Sequence, residues 1–126
     1  MHNLQSPRPD TDETIETEIR RKGLTAPRIT PADIEANIEV CYFFTGEEAL
    51  QYAGQNGSPF APHAAMKLLT FCVLVLKNGF TVTGESACAS PENFDAEIGR
   101  KIARANAVNK VWPLMGYQLK TQLSAS

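Results

Sequence analysis

A chain of 126 residues, 43% apolar and 21% charged, has the size and composition of one soluble globular domain, which excludes a two-lobed enzyme with separate cofactor and substrate domains. Twelve basic against fourteen acidic side chains leave a net charge of −2, too balanced for a generic nucleic-acid binder and too weakly acidic for a mimic of the DNA phosphate array. Cys41, Cys72 and Cys88 are odd in number and form no CxxC pair, the pattern of reduced thiols rather than of a secreted disulfide framework.

Residues 1–10, with Pro7 and Pro9 among polar neighbours, read as a flexible tail, and the start MHNLQSPRPDTDE lacks the apolar core of a signal peptide. From Thr11 to Lys22 a short helix is expected. Asp12 and Glu13 open it, Ile15 and Ile19 sit four apart, and Arg20, Arg21 and Lys22 close it before Gly23. Its thin apolar stripe lies either on its own domain or on another subunit or partner. The next helix start is Ile29-Thr30-Pro31-Ala32-Asp33-Ile34, with Thr30 as cap, Pro31 first inside and Ile29 stapled onto Ile34. It predicts a helix from Pro31 to about Val40 that buries Ile34, Ile38 and Cys41. Thr45 and Glu48 have capping-box spacing before a short helix ending near Ala53, and GQNGSPFAP, from Gly54 to Pro62, reads as a loop.

The apolar run LLTFCVLVL, then Asn78-Gly79, then FTVTGES predicts a β-hairpin, because both central residues of the favoured two-residue turn need positive φ. The run, Leu68 to Leu76, is too short to span a bilayer. With Asn78 and Gly79 as the loop, Lys77 pairs with Phe80, Val75 with Val82 and Val73 with Gly84. One face then holds Phe71, Val73, Val75, Phe80 and Val82. The other holds Leu68, Cys72, Leu74 and Leu76 opposite Thr81, Thr83 and Glu85, and these four apolar residues are the candidate oligomer interface. Ser90 and Pro91 start a long helix to about Asn109, whose stripe Phe94, Ile98, Ile102 and Ala105 is expected to cover the hairpin. Pro113 is expected to break the chain before a short amphipathic segment carrying Leu114, Tyr117, Leu119 and Leu123. The fold class is α+β: N-terminal helices, a central antiparallel hairpin, a long helix across it and a short C-terminal segment. Residues 1–28 form a tail and peripheral helix, and 29–126 a single domain.

The stretch TFCVLVLKNGFTVTGESACASPENFDAEIGRKIARANAVNKVWPLMGYQL resembles a family of small tailed-phage and prophage proteins, grouped under gene product forty-nine of an Escherichia phage and gene product sixty-six of a Shigella phage. The resemblance is carried by Thr70, Phe71, Cys72, Asn78, Gly79, Phe80, Gly84, Glu85 and Ser86 of the hairpin. Asn93, Phe94, Gly99, Ala103, Ala107, Trp112, Pro113, Leu114 and Tyr117 carry it along the helix. The helix from Pro31 fits more loosely, and the chain before Ile29 lies outside. The resemblance implies a phage accessory gene outside the virion assembly set and brings no catalytic residues with it.

The remaining chemistry is sparse. A thiol nucleophile needs a depressed pKa and a nearby base, so Cys88 with His63 is the single candidate for enzymatic chemistry, while Cys72 sits in an apolar strand as a small buried thiol does. His63, Cys41, Cys72 and Cys88 lack the paired short spacings of a zinc site, so neither metal nor cofactor is expected. Gly84-Glu85-Ser86 lacks the flanks of a nucleophile elbow. Ser90 and the amides after Pro91 form a candidate anion site. Residues 1–66 carry five basic and ten acidic side chains, and residues 67–126 seven and four. On the basic half, Arg100, Lys101, Arg104 and Lys110 are candidate contacts for a nucleic acid, a nucleotide signal or an acidic protein surface, or else a solvated helix face with a Glu97–Lys101 pair. Together these readings describe a non-enzymatic phage accessory protein, homo-oligomeric and in the host bacterial cytoplasm. It binds and modulates a host component in host takeover or anti-defence, by inhibiting a defence protein or sequestering a nucleotide signal. The second reading is a nucleic-acid-binding phage regulator that uses the basic long helix.

Overall fold

In a computed structural model, which describes residues 11–54 and 61–125, three threonines set the starts of the first three helices. Thr11, Thr30 and Thr45 each accept the amide three residues on, and the side chains there, Thr14, Asp33 and Glu48, accept the threonine's own amide. These reciprocal bonds satisfy amides that a helix leaves open. They start α1 (Asp12–Arg21), α2 (Pro31–Ala36) and α3 (Gly46–Ala53). The expected tail at residues 1–10 and six positions of the expected loop, 55–60, lie outside the described residues.

The helix from Pro31 is shorter than its spacing predicts. It ends at Ala36, and Ile38–Thr45 is a strand, β1. The run IEVCYFFT is β-branched and aromatic at nearly every position, and it finds a partner in β2 (Leu69–Leu76), which also pairs with β3 (Thr81–Ala87). The sheet is antiparallel in the order β1-β2-β3, and a 3₁₀ stretch, Ala64–Leu68, leads into β2.

The hairpin is present with a different register. The Gly79 amide donates to Leu76 O and the Leu76 amide to Phe80 O, both at 2.8 Å, so the loop has three residues, Lys77-Asn78-Gly79. Gly79 takes φ +89°, as a type I turn closed by a left-handed residue requires. Leu74 therefore faces Val82 and Cys72 faces Gly84, one residue away from the two-residue-loop pairing. A slip of one residue exchanges the faces of a strand. Val82 joins Cys72, Leu74 and Leu76, while Thr81, Thr83 and Glu85 join Phe71, Val73 and Val75.

The covering helix also differs from its predicted form. Ser90 and Pro91 open only a 3₁₀ turn, Pro91–Asn93, and the long helix α4 (Ala96–Ala125) begins beyond Asp95, whose Oδ1 accepts the Ile98 amide at 3.0 Å. It meets the sheet through Gly99, Ala103, Ala107 and Val111, not through Phe94, Ile98, Ile102 and Ala105, of which Ile98 and Ala105 are exposed. Gly84 explains the choice. A methyl group there would collide with backbone atoms of Ala103 and Ala107, so the helix backbone lies against β3 and only small side chains fit between. The core is built from Ile34, Cys72, Leu74, Leu76, Val82, Ala103, Ala107 and Val111. Pro113 does not end α4. It is exposed, and its neighbours Val111, Trp112 and Met115 pack on the core, which carries the helix through the single bond that proline removes. Among the described residues no helix is long and apolar enough to cross a membrane.

Candidate functional site

The two faces of the sheet have different surroundings. Along β2 the side chains alternate between fully buried, under α4, and half-buried; along β3 they alternate between buried and exposed. Pairing places Val40, Tyr42 and Phe44 of β1 beside Val75, Val73 and Phe71 of β2 on the side away from α4, with Thr81, Thr83 and Glu85 of β3 as its border. Tyr42 is 56% exposed, and the Phe44 and Phe71 rings pack at a tilt with centroids 5.5 Å apart. Apolar side chains therefore run across this face of β1 and β2 without interruption. The outer edge of β3 is partly closed: Asn106 on α4 donates through Nδ2 to the Glu85 carbonyl at 2.7 Å, while its Oδ1 is buried without a partner among the described residues.

A second feature lies on the α4 side, at the start of that helix. Register aligns Thr45, Thr70 and Ser86 across the three strands, a row of hydroxyls on a face otherwise lined by Cys72, Leu74, Leu76 and Val82. Gly99 passes directly over this row, with Thr70 Oγ1 as its nearest side-chain neighbour. Beside the row is a cleft of about 150 Å³ bounded by Phe43, Thr45, Glu48, Thr70, Ala96 and Arg100. Glu48 Oε1 accepts the Thr45 amide at 2.8 Å, and Arg100 has no carboxylate partner among the described residues.

The other predicted cations do not converge on it. Arg104 turns toward α2 and forms two hydrogen bonds with Glu35, at 2.8 and 3.1 Å. This guanidinium holds the Glu35 carboxyl below its ordinary value, and Glu35 in turn raises Arg104. Lys101 pairs with Glu97 at 3.6 Å on the surface, and Lys110 is exposed without an ion pair among the described residues. The Ser90 side chain caps nothing; its carbonyl accepts from the Cys88 thiol at 3.2 Å. His63 accepts the Ala65 amide through Nδ1 and makes no hydrogen bond to Cys88.

The candidate oligomer interface needs correcting. Cys72, Leu74 and Leu76 are covered by α4 of their own chain, a result of the three-residue loop, and Leu68 ends the 3₁₀ stretch half-buried, so this set offers no surface to a second copy. Cys72 lies 3.6 Å, sulfur to sulfur, from Cys41, and burial, reinforced by that neighbour, pushes its thiol up to about 12. Among the described residues no group of three or more metal-ligating side chains comes together.

Two sets of residues were missed by sequence reasoning. The aromatics of β1 alternate at Tyr42 and Phe44 with Val40 before them, a period-two signal masked by the helix start at Thr30. Glu16, buried on α1, takes both nitrogens of Arg28 and also Arg20. The Arg28 hydrogen bonds hold its carboxyl below the ordinary range, and the pair fastens α1 to the segment entering α2. No local pattern links positions twelve residues apart.

In comparison with known proteins, a model of the Phage protein (N4 Gp49/phage Sf6 gene 66) family fits residues 29–123, which contain the sheet, α2, α3 and all but the last two residues of α4 and leave α1 outside. No curated protein and no solved structure matches the chain.

Proposed function

The chain belongs to this phage protein family, and from that premise we propose a non-enzymatic accessory protein that binds a host component and alters its activity, in host takeover or in countering a defence system. The observation that supports it is the apolar, partly exposed sheet face on the side away from α4. Tyr42, Phe44, Phe71, Val73 and Val75 form an apolar platform on a sheet whose other side is locked by α4, so a partner meets a surface already in its bound shape. Aromatic side chains at the centre of such a patch carry most of the binding energy when a partner seals them from water. The partner is a protein, a host target first, with a second copy of the chain able to use the same face. A nucleic-acid regulator finds less support, because Arg104 and Lys101 are engaged by Glu35 and Glu97. Arg100 and Lys110 are then left about 15 Å apart along the helix.

A double variant, Tyr42→Asp with Val73→Lys, tests the reading. It should keep the parent's circular dichroism and cooperative unfolding yet lose both the phenotype conferred on the phage host and the co-purified polypeptide. Native mass spectrometry of the parent separates a host chain from a second copy. A folded double variant that retains the full phenotype would refute the proposal.

A further inference from the structure

We infer that Cys41 and Cys72 form a redox-active pair that reacts with a hydroperoxide: Cys41 attacks the peroxide oxygen and Cys72 closes a disulfide between β1 and β2. The two sulfurs stand 3.6 Å apart, and register sets the residues diagonally on neighbouring strands, Cys41 opposite Leu74 and Cys72 opposite Phe43. A disulfide needs a sulfur separation of about 2.05 Å, so about 1.5 Å is left to close. The third thiol is out of reach. Cys88 donates to the Ser90 carbonyl, and its amide bonds to Leu68 O, four positions and about 13 Å along the chain from Cys72.

The surroundings assign the two roles. Cys72 is wholly buried under α4, and its thiol, pushed up to about 12 by that burial, stays protonated and closed to a peroxide. Cys41 is half-buried, the end of the pair that solvent reaches. Beside it is the Arg104 guanidinium, which interacts with the Cys41 thiol and is fixed by its two hydrogen bonds to Glu35. A partly exposed thiol next to a fixed cation is the setting in which cysteine reacts, and a second thiol in contact converts the first oxidation product to a disulfide. In the first step the Cys41 sulfur bonds to one peroxide oxygen, the O–O bond breaks, and the departing hydroxide leaves as water with the thiol proton. Cys41 is then a sulfenic acid. In the second step the Cys72 sulfur attacks the Cys41 sulfur, the S–O bond breaks, and that hydroxide leaves as water with the Cys72 proton. Both thiols are oxidised to one disulfide, and one hydrogen peroxide is reduced to water.

The test treats the full, reduced chain with hydrogen peroxide and reads its intact mass and a non-reducing tryptic map, in which the three cysteines fall on residues 29–67, 68–77 and 78–100. A loss of two hydrogens per chain is expected, with residues 29–67 joined to 68–77 and the parent mass recovered in dithiothreitol. Cys72→Ala should stop at the sulfenic acid, trapped on Cys41 by dimedone. Arg104→Gln should slow the oxidation about tenfold, and Lys110→Gln should leave its rate unchanged. Should Cys72→Ala fail to fold, the linkage map of the parent decides by itself. Absence of a bridge in the folded parent, a bridge to residues 78–100, a bridge between two chains, dimedone on Cys72 instead of Cys41, or an unchanged rate in Arg104→Gln would each overturn the inference.

Discussion

The two sides of the sheet are built from the same strands and obey opposite rules. On the α4 side, Gly84, Gly99, Ala103 and Ala107 bring helix backbone onto strand backbone, and Cys72, Leu74 and Val111 are fully buried between them. On the far side, larger side chains from Tyr42 to Phe71 stand half-covered. Close packing tolerates no change of volume, whereas a loosely covered face accepts many substitutions at little cost to the fold. Residue size is therefore a poor guide to which face is the core: in this protein the small residues are inside and several of the aromatics are outside.

The strongest way to break the contrast is at Gly84. Gly84→Val should destabilise the protein by about 3 kcal/mol or more, seen as a collapse of the urea midpoint or as insoluble protein, because a helix turn would have to lift from β3. Next comes a matched pair on β2. Leu74→Ala should cost about 3 kcal/mol and Val73→Ala under about 1 kcal/mol by the same urea titration; equal losses would mean that the outer face is covered as tightly as the inner one.

The turn that assigns the faces gives a smaller effect. Gly79→Ala should lose about 1 kcal/mol, since alanine resists the positive φ, with the parent register retained in backbone NMR contacts. Smallest is the Glu35–Arg104 pair, which joins α2 to the outer side of α4. Glu35 has its pKa lowered on folding, so its contribution is complete above the unfolded value of 4.5 and is lost as pH falls through the lower folded value. Glu35→Gln should flatten part of the acid limb of a stability–pH profile, by under about 1 kcal/mol, because the Glu35 side chain is more than half exposed and solvent screens the pair.

Legibility followed the range of the interaction. The boxes at Thr11, Thr30 and Thr45 are local, and all three helix starts can be read from a few adjacent residues. β1 cannot, since Ile34, Ile38 and Cys41 suit a helical stripe and only pairing with β2, some thirty residues on, makes the segment a strand. Register was misjudged for the same reason. Asn78-Gly79 serves a two- or a three-residue loop, and here the Lys77 amide bonds to Asn37 O at the end of α2, outside the hairpin ladder. The cleft was half legible: Arg100 stands out as a cation on a helix, but Thr70, Glu48 and Phe43 come from other elements and meet it only through the sheet pairing.

The length of α4 has one more consequence. Thirty helical residues reach about 45 Å, while an eight-residue strand spans about 26 Å, so the helix outruns the sheet it covers, and its last fully buried residue is Val111. Beyond it Leu114, Tyr117 and Leu123 are exposed, and Pro113 has already removed one backbone bond at the point of departure. One continuous helix thus divides into two materials. Its amides near Ala103 and Ala107 should exchange with solvent deuterium only when the whole domain opens, and those past Tyr117 should exchange faster, by local fraying.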